Sequence, residues 1–493
     1  MKVNGYEIVL TSDRTLFSDY GGGIFLGFIS CFPKNLIPEW IFFNVFCPPT
    51  KVAVDGLPLS APLGLRVIES LLLNSGFKRD QVAVVHPDYI DKAVGPDTKI
   101  LGLSEMDPLG VGPATSTFTQ IFRGQAYMPI KLKALLNNPI VTRYKPKVVL
   151  GGSGVWQLEN NEEKDKLGID CVVLGEGESV VPNLFHNILQ GEPVPKVIYG
   201  QPIDAAMIPS ILGPSMNGLV EISRGCGRGC LHCSLASSKK RDIPLEHILK
   251  DVVTTLRYGR STPILHAEDV LLYGSNGYTV NKESVMKLFQ EVKRLPEVKF
   301  IDISHFSISS VLQAPDLIGE ISQLLNLGGE QKFLGAQVGV ETGSQRLIKK
   351  CMKGKPAFEK SKGWYEDVIV AFETLMKNNW VPAATLLIGL PDEIDRDLEE
   401  SIQLVEDLKT FKSLLVPLFF VSPSREKSFN IKDLNDLHRE LIIKSWEHNF
   451  RWMSLLYKEY SGMYMHRGKW PIYLLLTLSA KYMKRRLKRL LSP

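Results

Sequence analysis

The chain of 493 residues predicts an α/β fold built as two successive bodies. The first is a doubly wound, Rossmann-like sheet over residues 1–205, and the second is a partial (β/α)6 barrel over residues 206–425. A helical C-terminal segment over residues 426–493 completes the chain. Three observations predict this. Short apolar runs alternate with stretches of helical periodicity. Several of the runs end in glycine turns, where a parallel strand hands over to a helix. Hydrophobic residues make up 44% of the chain, enough for sizeable cores, yet no run reaches the roughly 18 apolar residues of a membrane span.

In the first body, Tyr6 to Leu10 reads as a strand. Leu65, Ile68, Leu71 and Leu72 recur at helical spacing, and Gly76 stops that helix. Strands follow at Val82 to Val85 and Lys99 to Leu103. Two further runs, Lys147 to Leu150 and Asp170 to Leu174, lead into Gly151-Gly152-Ser153-Gly154 and Gly175-Glu176-Gly177-Glu178. Leu36 to Cys47 is apolar and aromatic. It reads as core, and part of it is open to lining an apolar substrate channel.

The second body offers six strand-like runs, at residues 218–223, 262–269, 299–305, 335–344, 383–393 and 414–420. Helical stretches separate them, which is the rhythm of a barrel with its chemistry at the carboxyl ends of the strands. Beyond it, Asp433 to Leu456 reads as a helix with Leu437, Leu441, Ile442, Trp446 and Phe450 inward. The run Pro471 to Ala480 is too short to span a bilayer, and from Lys481 to Arg489 six of nine residues are basic. An apolar stretch with a basic flank suits a peripheral anchor on an anionic membrane. A basic tail for nucleic acid and an inert tail are the weaker alternatives.

A net charge of +5 is too small to argue for a nucleic-acid partner. Seven cysteines over this length do not suggest a disulfide framework, and the N-terminus lacks a signal-peptide core. A cytoplasmic setting is expected, with the inner face of the membrane as its peripheral variant.

The chemistry concentrates in Cys226, Cys230 and Cys233, spaced C-x3-C-x2-C in a glycine-rich loop after an apolar run. Three thiolates on one small loop are one ligand short of the usual four-thiolate cubane or four-ligand zinc site. A zinc loop completed by His232, or cysteines that merely pack, are the bland readings.

This loop resembles that of the radical S-adenosylmethionine (SAM) superfamily. The resemblance implies a 4Fe-4S cluster held by Cys226, Cys230 and Cys233, with one iron open to chelate SAM. It further implies reductive cleavage of SAM, by an external electron donor, to a 5′-deoxyadenosyl radical that abstracts hydrogen from an unactivated carbon. Glu268 stands where the superfamily has its Gly-Gly-Glu motif, so it is the expected acceptor for the SAM ammonium. Gly339-Val-Glu341-Thr-Gly343-Ser resembles a second SAM-contacting stretch, and Gly389-Leu390-Pro-Asp-Glu resembles the turn packed along the adenine. Ser304, ending the third strand, joins Glu268, Glu341, Gly343, Gly389 and Leu390 as expected cofactor-binding residues. A structural ion pair with Arg or Lys is the alternative for Glu268 and Glu341. His266 and His305 end neighbouring strands and read equally well as ligand contacts or as satisfied core histidines.

The glycine turns at Gly152, Gly154 and Gly175 resemble the cobalamin-binding domain that precedes the radical domain in one subgroup. Those glycines would let backbone approach a corrinoid closely. The Asp-x-His-x-x-Gly motif of other cobalamin proteins is absent, so a domain that keeps the fold without the cofactor reads as well. Several stretches resemble archaeal tetraether lipid ring synthases: Ser12 to Tyr20, Glu105 to Thr115, His266 to Leu271 and Val416 to Val421. That resemblance implies a long-chain lipid substrate and carbon–carbon bond formation that closes cyclopentane rings. Cobalamin-dependent radical methyl transfer, and tetraether-synthase-type coupling of two chains, are the alternatives.

Overall fold

The computed structural model describes residues 2–464, except 3, 21–23, 55, 160–161, 232, 234–237, 357–360 and 423–427, together with 487 and 489. It forms two compact units, Met1–Val220 with Ile243–Arg260, and Glu221–Asp242 with Ser261–Pro493. The boundary expected at 205 therefore falls at 220, and the segment Ile243–Arg260 clusters with the first unit. The expected third domain does not separate, because the long helix Asp436–Tyr464 belongs to the second unit. Residues 471–486, with most of the basic tail, lie outside the described residues. No helix among the described residues is long and apolar enough to cross a membrane.

The first unit is a six-stranded parallel sheet. Its strands are β1 (Ile8–Thr11), β2 (Val82–Val84), β3 (Ile100–Ser104), β4 (Lys147–Gly151), β5 (Cys171–Gly175) and β6 (Val197–Gly200), in the order β2-β1-β3-β4-β5-β6. Successive side chains alternate between two cores, as a sheet covered on both faces requires. Ile8, Leu10, Val149, Cys171 and Val173 pack with Leu65, Leu72 and Phe185 on one face. Val9, Leu101, Leu103, Val148, Leu150 and Val172 pack with Leu132 and Leu135 on the other. β6 is not among the expected strands: its apolar run, Val197-Ile198-Tyr199, is only three residues long, and as an edge strand it leaves them half-buried or exposed. Within Leu36 to Cys47, Phe42 and Cys47 are buried beside Tyr20 and Tyr127, whereas Trp40 is exposed, so this stretch supplies a small satellite core.

All six expected barrel strands are present, five of them within the second unit and the first, β7, across the boundary at Val220. They are β7 (Leu219–Glu221), β10 (Ile264–His266), β11 (Asp302–Ile303) with β12 (His305–Phe306), β13 (Leu334–Glu341), β14 (Trp380–Ile388) and β15 (Leu414–Phe419); β8 (Ser223–Arg224) and β9 (Arg241–Asp242) form a small antiparallel ribbon. The third strand is split at Ser304 between a sheet β11-β10-β7 and a sheet β12-β13-β14-β15. Ser304 joins the two: its N–H donates to Leu265 O at 3.0 Å and its carbonyl accepts from Gln337 N at 2.8 Å. The helix Asp436–Tyr464 covers the outer edge of β15. Asn449 Oδ1 accepts from Leu415 N at 2.7 Å and its Nδ2 donates to Leu415 O at 2.6 Å, as a neighbouring strand would. The buried face of that helix includes His438, Ser445, His448 and Asn449 as well as Leu441 and Ile442, so it is more polar than the apolar spacing predicted.

At the carboxyl ends of β1 and β3, where the strand order reverses, two buried carboxyl groups meet. Asp13 N donates to Glu105 Oε1 at 2.8 Å, and both residues are essentially inaccessible to water. Burial pushes Asp13 up to about 6, and burial with the neighbouring Asp13 charge pushes Glu105 well above the usual carboxylate range. A carboxyl whose folded pKa is raised favours the folded state at low pH and costs stability as pH rises past its unfolded value. Glu105→Gln is therefore expected to flatten the loss of stability between about pH 5 and pH 8. The variant is expected to be the more stable protein at the upper end, read by urea unfolding at both pH values.

Candidate functional site

The cysteine loop leaves the ribbon strand β8 through Gly225, whose φ of +86° and contact with Lys239 O (2.5 Å from an added Cβ) admit only glycine. Backbone bonds then shape the loop: Cys226 N donates to Ser238 O, Cys233 N to Cys230 O, and Leu231 N to Cys351 O. Cys230 is buried, and Cys226 and Cys233 are half-buried. Burial raises the Cys226 thiol, with Glu268 and Asp269 adding to the rise and Arg228 opposing it. Burial also raises Cys230, with Cys226 and Glu341 adding and Lys355 and Arg228 opposing. These neighbours show that the fold brings the loop, the end of β10 and the end of β13 to one place.

Arg228, between the first two cysteines, is the anchor. Its guanidinium is buried and donates to Asp269 Oδ2 and Ser307 Oγ at 3.0 Å, to Ser309 Oγ at 2.9 Å, and to the carbonyls of Gly354 and Lys355 at 3.4 and 3.3 Å. It also lies 5.1 Å from the Tyr278 ring centre. Ser310 Oγ donates to the same Asp269 oxygen at 2.7 Å, while Asp269 Oδ1 is buried without a partner among the described residues. Nothing in the composition marks Arg228; its place between two motif cysteines was the available signal.

The expected SAM-site residues divide. Glu268 is half-exposed beside Cys226, as the resemblance implies. Glu341 sits at a register shift in β13 with φ +68°, a conformation that costs a non-glycine residue about 1–3 kcal/mol. The shift re-aims its side chain, which accepts from Lys355 Nζ at 2.6 Å and from Thr385 Oγ1 at 3.0 Å. The structural ion pair held as its alternative is thus present. Ser304 does not face a ligand: it is fully buried, and its hydroxyl bonds Ala267 O at 3.1 Å and Ala267 N at 3.2 Å, which fixes the chain just before Glu268. Gly343 N donates to Ser401 Oγ at 2.9 Å, and an added Cβ would meet Glu400 O at 2.5 Å.

Gly389 has φ +80° and its missing Cβ is replaced by the Phe429 ring, 2.0 Å away. Leu390 is buried. Glu393 closes this turn, accepting from Gly389 N at 2.9 Å and pairing with His438 Nε2 at 3.0 Å.

In the first unit, Gly152, Gly154 and Gly175 approach the chain's own backbone. Added Cβ atoms would strike Glu105 O, Met106 O and Gly200 O at 2.5, 2.1 and 2.2 Å. The space expected for a corrinoid at these glycines is filled by protein. Unpartnered buried atoms cluster elsewhere at the carboxyl ends of this sheet, on Ser12, Asp13, Thr15, His86 and Glu105.

The donor set fits a 4Fe-4S cluster and SAM: three thiols on one loop, beside Glu268 and the unpaired Asp269 oxygen, acceptors for an ammonium. Among the described residues no three His, Cys, Asp or Glu side chains converge on a single metal ion. His232, the fourth ligand of the zinc alternative, lies outside the described residues. Replacing Arg228 by Met is expected to destabilise the fold by about 3–5 kcal/mol, because Asp269 is left buried and unpaired; chemical denaturation measures it.

Comparison with known proteins agrees with this geometry. The family model of the radical SAM superfamily matches residues 220–405. The ribosomal protein uS12 methylthiotransferase RimO of Thermotoga maritima is 28% identical over 221 residues, 44% of this chain and 47% of that protein. The tRNA-2-methylthio-N(6)-dimethylallyladenosine synthase of Orientia tsutsugamushi is 23% identical over 210 residues, 41% of this chain and 43% of that protein. The chain thus spans about half the length of the curated relatives it matches. The radical S-adenosylmethionine methyltransferase TsrM of Kitasatospora setae, solved with a tryptophan substrate and aza-SAM, superposes with a TM-score of 0.54 at 13% identity. That likeness of fold covers 85% of this chain and 75% of TsrM. The tetraether ring synthase resemblance is not shown by these matches. Residues 220–405 are a radical SAM domain, whose family implies a 4Fe-4S cluster and S-adenosylmethionine as its cofactors.

Proposed function

We propose that this chain is a radical SAM methyltransferase whose first unit receives a corrinoid. The observation that carries this reading is the extent of the TsrM likeness. At 85% of the chain it reaches beyond the radical domain into the doubly wound unit, whereas the methylthiotransferase relatives match 44% or less. The unpartnered polar atoms at the carboxyl ends of β1 to β3 suit a ligand rich in amide groups. The three glycines do not contribute to that site.

When bound, the cluster and SAM supply reductive sulfonium cleavage, and a corrinoid supplies a methyl carrier. The chain's own residues hold and orient. Cys226, Cys230 and Cys233 provide three thiolates. Arg228 fixes the loop against Asp269 and the Ser307–Ser310 turn. Glu268 and Asp269 Oδ1 offer acceptors to the SAM ammonium. The Gly389–Glu393 turn, locked by Glu393 and His438, offers a rigid backbone surface to the adenine. Glu341 is neutralised by Lys355, so it serves as a hydrogen-bond acceptor and not as an isolated charge.

Methylthio transfer is the second reading, favoured by the sequence relatives. Lipid ring closure rests on the tetraether resemblance alone, and a peripheral membrane surface on the apolar run and basic flank of residues 471–489. One experiment separates the three: anaerobically reconstituted protein, deuterated-methyl SAM, and extracts of polar metabolites and of lipids, followed by mass spectrometry. A product carrying the labelled methyl supports methyl transfer. Label accompanied by sulfur would replace it with methylthio transfer, and unlabelled lipid that has lost hydrogen would restore ring closure. Cys230→Ala is expected to fold but to lose both the brown iron–sulfur absorbance and SAM cleavage. Cleavage at the wild-type rate in that variant would end the radical assignment.

A further inference from the structure

The half-exposed strand positions of the second unit carry a polar row beside a shorter apolar one. Along β7, β10, β12, β13 and β14 they include Glu221, His266, His305, Gln337 and Thr385, with Leu219 and Gly339 next to them, while β15 presents Leu414 and Val416. Four of these strands form one contiguous polar row. Glu221 is paired by Arg224 through two bonds, Nε to Oε1 at 2.9 Å and Nη2 to Oε2 at 2.7 Å. His266 feels both of those charges and the His305 ring, whose centre lies 6.0 Å from its own at a tilt of 59°. His305 Nε2 reaches Gln337 Oε1 at 3.0 Å.

We propose that Glu221, Arg224, His266, His305 and Gln337 form the recognition wall for an uncharged heteroaromatic ring or amide, and not the lining of a hydrocarbon channel. The inference rests on the radical SAM reading above and assigns the substrate class of that same site. Three features support it. First, the wall offers little fixed charge: the Glu221–Arg224 pair cancels, burial pushes His266 down to about 4, and Gln337 is an amide. A neutral wall does not select a charged ligand.

Second, the wall holds a polar atom the protein leaves unpaired: His266 Nε2 makes no hydrogen bond among the described residues and, unlike the Nδ1 atoms of His266 and His305, is not fully buried. A saturated chain in the lumen would strip water from the remaining polar edges and give nothing back, whereas a ring N–H or an amide replaces those bonds. Third, two tilted imidazoles 6.0 Å apart present faces and edges at the spacing that aromatic rings favour in contact.

The test is equilibrium dialysis of reconstituted full-length protein, in the presence of SAM, with nicotinamide and indole as polar ring probes and a dialkyl glycerol ether in detergent micelles as the alkyl probe. The expected result is saturable binding of a ring probe that the ether does not displace. His266→Leu with His305→Leu is expected to weaken ring binding at least tenfold, about 1.4 kcal/mol, while His266→Gln, which keeps an uncharged polar edge, stays within threefold of wild type. Displacement of the ring probes by the ether, or equal ring binding in the double leucine variant, would overturn the proposal. Should the double variant lose its cluster absorbance, the competition on wild-type protein decides alone. The radical reading fails separately, if wild-type protein does not cleave SAM at all; probe binding is scored independently of that.

Discussion

A single buried cation organises the second unit's site. Arg228 comes from the loop that carries the cysteines, and its five hydrogen bonds, all from Nη1 and Nη2, end on groups from three other segments: the end of β10, the turn at Ser307–Ser309, and the carbonyls at Gly354 and Lys355. A guanidinium removed from water is tolerated only when its donors and its charge are matched. Once matched, it leaves the loop little freedom to move. The thiols of Cys226 and Cys230 consequently have fixed carboxylate neighbours, and Asp269 keeps one oxygen directed away from the clamp and unpaired.

Around that anchor the fold spends strain and polar burial where a cofactor is implied. The register shift in β13 holds Glu341 at positive φ and delivers it to Lys355 and Thr385. The split at Ser304 bends the strand series between two sheets and ties down the backbone before Glu268. Neither device improves core packing. Both aim side chains at the carboxyl ends of the strands, where barrels of this kind place their chemistry.

The two units treat glycine differently from what its frequency in turns implies. At Gly225 and Gly389 the missing side chain serves the shape of the cofactor loop and of the Gly-Leu-Pro turn. At Gly152, Gly154 and Gly175 it lets one crossover loop press against another. In the first unit the buried groups without partners among the described residues lie instead at the ends of β1 to β3, where burial raises the pKa of both Asp13 and Glu105. In the second unit His266, His305 and Gln337 likewise form a half-exposed polar row across three strands, where a hydrocarbon lining would be apolar.

The sequence by itself determined the α/β class, the order of the barrel strands and the cysteine loop. Strand burial imposes continuous apolar runs, and the loop carries its ligand types at fixed spacing. It offered Glu268 only through the resemblance of Ala267-Glu268 to the superfamily's Gly-Gly-Glu motif. Only the tertiary structure decided which polar residues serve the ligand and which serve the protein. Ser304, Gly152, Gly154 and Gly175 turned inward to backbone. Asn449 and His448, polar residues on a helix, became the cover for an open strand edge. Arg228 became the clamp. A side chain's role depends on partners brought together from distant parts of the chain, and periodicity or spacing records only what lies within one element.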